Sequence, residues 1–222
     1  YAEFAQHFPK PGWVEHHAAE ILAGLDATVG AVVAELGRAP AAIGITNQRE
    51  TVFAIDAATG EALAPGIVWQ DRRTAARCRE LRDAGKEPMI RRKSGLVLDP
   101  YFSASKMEWM LRSVPAVQAA AERRSLRFLT VDALIAHHLT GSQAGGARWV
   151  TAVTNASRTM LADLDTPQAY DHELMELFGL EEWMLPEILP SAGHFGDAKL
   201  SGYSAPITGI LGDQQAALFG QG

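Results

Sequence analysis

Residues 43–46, Ile-Gly-Ile-Thr, make a short β-branched run, and it stops at four hydrogen-bonding side chains in a row: Asn47, Gln48, Arg49 and Glu50. A strand interior does not favour such a cluster. The carboxyl end of a strand does, because open α/β sheets hold their ligands there. Arg supplies a rigid fork of donors, and ionised Glu supplies only acceptors. A hydroxyl group uses both, so the pair suits a small polyhydroxylated ligand. Neighbouring residues of a regular strand point to opposite faces. Arg49 and Glu50 therefore reach one ligand only if the chain is already turning. The plain alternative is a surface pair beside a hairpin, and the local sequence leaves both readings open.

Around this run the pattern alternates between strands and helices. Pro9, Pro11 and Trp13 mark 1–14 as an extended lead-in. Residues 15–36 have helical apolar spacing (Ile21, Leu22, Leu25, Val29, Val32, Val33), with Gly37 as the stop. Strands are expected at 42–47, 51–56 and 66–69, with a turn at 57–60. A polar helix start at 70–73 leads into a helix over 72–84, and the basic run 91–93 reads as a solvated helix end. A helix over 103–111 takes Ser103 as its N-cap. Residues 116–140 read as helices around a break at 127–130, and 141–146 as a flexible loop. A short helix spans 171–178, 186–191 is irregular, and a β-rich run at 206–211 passes through Gly212-Asp213 into a helix over 214–219. This β-then-α order points to an α/β fold with no marked domain boundary.

A net charge of −6 argues against nucleic acid or an anionic membrane as the main partner, since both want a basic face. Cys78 is the only cysteine, which excludes an intrachain disulfide and fits a reducing, cytoplasmic setting. No apolar run is long enough for a transmembrane helix. Asp213, between a strand and a helix, reads either as a plain N-cap or as a carboxylate presented at the mouth of a site. In the second case it is a weak base, which suits phosphoryl transfer. Trp69 and Tyr101 read either as core aromatics or as an apolar wall with a polar tip. The His16-His17 and His137-His138 pairs diverge and chelate nothing, so no metal site is expected. Asn155-Ala156-Ser157 matches a glycosylation pattern, which is irrelevant in a cytoplasmic protein. Neither common Gly-rich phosphate loop occurs.

Six blocks, in order and spread over the whole chain, carry a resemblance: FPKPGWVEH at 8–16, GITNQRET at 44–51, IVWQDRRTA at 67–75, SGLVLDPYFSASK at 94–106, TNASRTML at 154–161 and GDQQAALFGQ at 212–221. Together they resemble the FGGY family of carbohydrate kinases. The NQRE block is similar to the glycerol-specific members rather than those acting on xylulose or ribulose. The resemblance implies a ribonuclease-H-like α/β fold of the actin and sugar-kinase kind, a mixed sheet flanked by helices. It also implies ATP and Mg2+ as cofactors, glycerol as the partner, and an assembly compatible with a dimer or tetramer. It makes Arg49, Glu50, Tyr101 and Asp213 the hydrogen-bonding partners of glycerol, with Gln214 assisting. Trp69 lies along the carbon skeleton, and Asp213 is the general base. A kinase for another small polyol, such as erythritol, and a non-catalytic polyol-binding fragment are the alternatives.

The resemblance also implies that residues 1–222 are a partial N-terminal, polyol-binding domain. The family's first strands, with an Asp-x-Gly-Thr-Thr-Ser turn near the ATP phosphates, would lie upstream, and the ATP-binding second domain downstream. The cofactor-binding residues then fall outside this chain, and the chain alone is expected to be inactive. His17-Ala18 stands where the family has Asp-Pro, Leu129 where it has Gly, and Ala152 where it has Asp. The short segment 199–205 shows neither the Arg loop for fructose 1,6-bisphosphate nor the phosphorylatable His of some members.

Overall fold

The computed structural model describes residues 1–141 and 147–222, so all but the first residue of the loop expected at 141–146 lies outside the described residues. In chain order the elements are β1 (Glu15–His16), α1 (Ala18–Leu36), β2 (Ile43–Asn47), β3 (Val52–Asp56), β4 (Gly66–Ile67), α2 (Ala75–Asp83), α3 (Glu87–Ser94), α4 (Ser103–Ser113), α5 (Pro115–Glu122), β5 (Leu126–Thr130), α6 (Val131–Leu139), β6 (Val150–Ala152), α7 (Val153–Ala156), α8 (His172–Leu177), β7 (Glu187–Leu189), β8 (Ala192–Leu200), β9 (Tyr203–Gly212) and α9 (Asp213–Gln221).

β3 is buried along its whole length. It lies inside an antiparallel sheet of order β1-β4-β3-β5. The period-2 alternation sends Val52 and Ala54 into one core, with Met107 and Phe128, and Phe53 and Ile55 into a second, with Ile21 and Leu134. The sequence places a break at 127–130; the chain instead forms β5 there. Leu126 and Phe128 enter the first core and Leu129 the second, and five registered pairs join β5 to β3. Leu129 is thus a fully buried core residue.

A second sheet has the order β2-β9-β8, with β2 parallel to β9 and β8 antiparallel to it. The segment 199–205 is the tip of the β8–β9 hairpin. Ser201 and Gly202, with φ of 44° and 94°, form the two-residue turn whose twist matches the strands. β6 and β7 pair in parallel, so 186–191 is partly strand rather than irregular. The β2–β3 connection is not a hairpin, because the two strands belong to different sheets.

Helix α1 starts at Ala18 rather than residue 15, because Glu15 and His16 pair with β4. It ends as expected at Gly37 (φ 63°), whose N–H donates to the Val33 carbonyl. The basic run 91–93 fills the last turn of α3, where cations favour the carbonyl end. Residues 70–73 are a turn and not a helix start. The buried Asp71 accepts from the Val14 amide (2.6 Å) and from Arg73 (2.8 Å), and Arg73 lies 3.7 Å above the Trp13 ring and 4.8 Å from Trp109. This ties the lead-in segment to the first sheet. Among the described residues, no helix is long and apolar enough to cross a membrane.

Gly66 in β4 faces the Phe53 ring so closely that an added Cβ would lie 2.2 Å from its Cε1. Gly66→Ala is expected to lower stability by about 1–3 kcal/mol, the usual cost of overpacking a filled core. Urea unfolding that shows no shift in midpoint would contradict this packing.

Candidate functional site

The parallel pairing of β2 with β9 sets Asn47 opposite Gly212. Both strands therefore release their next residues at the same sheet end, Arg49 from one and Asp213 from the other. The buried Arg49 directs its fork at the start of α9: Nε donates to Asp213 Oδ1 (3.1 Å), and the terminal nitrogens to Gln214 (2.7 Å) and Gln215 (3.2 Å). Asp213 is not the N-cap of α9. Gly212 takes that place, and the Asp213 side chain stays half-exposed at the first helical position. Gly212 is needed for close approach, since a Cβ there would lie 2.3 Å from Arg49 Cδ.

The chain does turn at Glu50, which has φ 62°, and the Thr51 amide donates to the Arg49 carbonyl at 2.8 Å. A hydrogen bond that skips one residue across a positive φ is a γ-turn of the rare, strained form. It lets adjacent residues serve one site. Glu50 is buried, and its Oε1 accepts from Arg158 Nε at 2.6 Å. The Arg158 guanidinium lies 5.5 Å from the Tyr101 ring and 4.8 Å from that of Phe102, and Tyr101 packs edge-on to Trp69 at 5.6 Å. The structure thus gathers the six residues expected from the sequence into two linked groups. Arg49, Asp213 and Gln214 form one. Glu50, Tyr101 and Trp69, joined through Arg158, form the other, and the γ-turn connects them.

The sequence reading missed four contributors. Arg158 is one. Asn155 is a second: it is buried and forms a reciprocal amide pair with Asn47 (2.9 and 3.2 Å), so it is a strut and not a glycan acceptor. Ser103 follows the N-cap, which is Phe102, and its Oγ donates to the Glu50 carbonyl (3.1 Å). Lys106 is fully buried and donates from Nζ to the carbonyls of Glu50 (3.2 Å) and Tyr101 (2.5 Å). Asn155 and Arg158 sit in the TNASRTML block, whose length was the only signal for them.

Burial pushes the Lys106 ammonium down to about 7, and the nearby Glu50, Asp71, Cys78 and Asp99 offset this only in part. A separate groove of about 420 Å³, lined by Leu25, Val29, Val33, Ile43, Ile45 and Leu139, is nearly all apolar and does not include Arg49 or Asp213. The described residues hold no group of three or more His, Cys, Asp or Glu side chains placed for a metal ion.

The sequence matches the FGGY family of carbohydrate kinases, N-terminal domain, over residues 1–220. The chain belongs to that family. It is 50% identical over 224 residues to glycerol kinase of Rhodopseudomonas palustris, covering 99% of this chain and 44% of that protein. It is 48% identical over 222 residues to glycerol kinase of Geobacter sp., covering 98% and 44%. The crystal structure of Plasmodium falciparum glycerol kinase with ADP superposes with a TM-score of 0.92 at 32% identity, over 99% of this chain and 44% of that one. This FGGY chain therefore spans about 44% of the length of the curated relatives it matches. Its fold is the ribonuclease-H-like α/β architecture of these sugar kinases.

Folding moves the Lys106 pKa from 10.5 to about 7. Between those values the unfolded chain holds a proton that the folded chain has released, so this group makes stability rise with pH from about 7 to about 10. Lys106→Met should flatten that rise. Urea unfolding of both proteins at pH 6.5, 8 and 9.5 checks this, and parallel pH slopes would refute it.

Proposed function

We propose that this chain is the polyol-binding part of an ATP-dependent glycerol kinase, with the nucleotide-binding part elsewhere in the parent protein. One observation carries the reading. Arg49, Glu50, Trp69, Tyr101, Asp213 and Gln214 are gathered into two linked groups, in a chain about half identical to glycerol kinases along nearly all its length.

In this reading Arg49 donates to glycerol hydroxyls while it holds Asp213. Glu50, with Oε1 fixed by Arg158, accepts from a hydroxyl through its other oxygen. The Tyr101 hydroxyl and the Gln214 amide complete the polar contacts, and Trp69 flanks the carbon skeleton. The half-exposed Asp213 accepts the proton of the terminal hydroxyl as its oxygen bonds to the γ-phosphorus of ATP and ADP departs. Such a transfer depends on positioning and electrostatics more than on a strong base. In this reading the nucleotide and its metal ion are held mainly by the rest of the parent protein, so the 222 residues alone are expected to turn over no ATP.

Three measurements test the reading. In the full-length protein, Asp213→Asn should lower kcat by about 10²- to 10⁴-fold, the range for a general base; an unchanged kcat would leave Asp213 without that role. Gly212→Ala should displace Arg49 and raise the glycerol KM by about 10- to 100-fold, equivalent to losing a charge-assisted hydrogen bond of about 1.5–3 kcal/mol. A coupled ADP-release assay on the 222-residue chain should give no glycerol-dependent signal.

A further inference from the structure

We infer that Lys106 is a positioning residue for the polyol, acting through the main chain of Glu50 and Tyr101. The inference rests on the proposed polyol site and deepens it.

Lys106 sits on α4, and its ammonium is fully shielded from solvent. Among the described residues no carboxylate lies within ion-pair distance of it, although Glu50 and Asp71 are near; its hydrogen bonds go to the Glu50 and Tyr101 carbonyls. Burying an ammonium without a carboxylate partner is costly, so a core built for stability alone would favour an apolar side chain. What this arrangement supplies is geometry. A single nitrogen with three tetrahedral donors joins two backbone segments that each carry a proposed pocket side chain. Loss of the proton leaves two N–H donors, enough for the same two carbonyls.

The Glu50 segment needs such a tie. Its γ-turn is strained, and strained turns persist only when the surroundings over-determine them. Ser103, one helical turn before Lys106 on α4, donates to the same Glu50 carbonyl. Two donors from one rigid helix thus fix the peptide after Glu50, while Arg158 fixes its carboxylate. If the tie loosens, the turn relaxes toward negative φ. The Glu50 side chain then swings off the axis it shares with Arg49, without any residue that touches polyol being replaced.

The test uses the full-length protein. Lys106→Met keeps the chain length and removes the donors. It should raise the glycerol KM about 10-fold while leaving the ATP KM within about twofold, the size expected when a charged hydrogen-bond donor is lost. Ser103→Ala should act in the same direction by about 3-fold, and it decides the matter if the lysine variant does not fold. Hydrogen exchange of the Thr51 amide reports on the γ-turn itself and should quicken about 10-fold in Lys106→Met. A glycerol KM unchanged in a folded variant, or unaltered Thr51 exchange, overturns the inference. Wild-type protein that phosphorylates no glycerol would sink the substrate reading instead, and the Thr51 comparison would still show whether Lys106 holds the turn.

Discussion

Parallel pairing of β2 with β9 is the constraint on which the site depends. Arg49 and Asp213 are 164 residues apart in sequence, and hydrogen bonding between these two strands makes them neighbours. Parallel strands require a crossover between them. Here the crossover is most of the chain, including three of the four strands of the first sheet, β3, β4 and β5. Because the strands run the same way, their polar ends open on the same side. An antiparallel pairing would have placed Asp213 beside the start of β2, far from Arg49.

The second structural demand is the passage from one sheet to the other. β2 leaves the smaller sheet, and five residues later β3 enters the larger one with both faces buried. So short a link must turn sharply, and the γ-turn at Glu50 does so. Packing on both sides leaves little room for the turn to relax. Strain and buried charge thus meet at the same few residues, where Lys106 and Glu50 are shielded from solvent and Arg158 is partly exposed. Buried charged groups concentrated in one place mark a site whose geometry is held at some cost to stability.

Much of this was legible in the chain. The strand ending in Asn-Gln-Arg-Glu, the Gly37 stop and the strand-to-helix passage at Gly212-Asp213 follow from local patterns, and the structure shows each of them. β5 was missed because five residues wedged between helices carry no turn signals of their own. β8, with its two glycines and charged residues, has little strand character until β9 pairs with it. Lys106 looked like an ordinary helix residue, since nothing in its neighbourhood announces that Glu50 is close. Asn155 is a related case: its glycosylation pattern is irrelevant in a cytoplasmic protein, and only the fold shows that its amide pairs with Asn47. Lys106 and Asn155, whose partners Glu50 and Asn47 lie more than 50 residues away, carry no local signal of those partners.

The Asn47–Asn155 pair has a consequence for folding fidelity. Each amide is buried, and each answers the other's donor and acceptor. If β2 slid by one residue against β9, Asn47 would face away and both amides would lose their partners inside the core. Each stranded amide costs about 1–3 kcal/mol, and the slip would also turn the apolar face of β2 outward. The pair therefore acts as an alignment key, penalising every register except the one that brings Arg49 and Asp213 together.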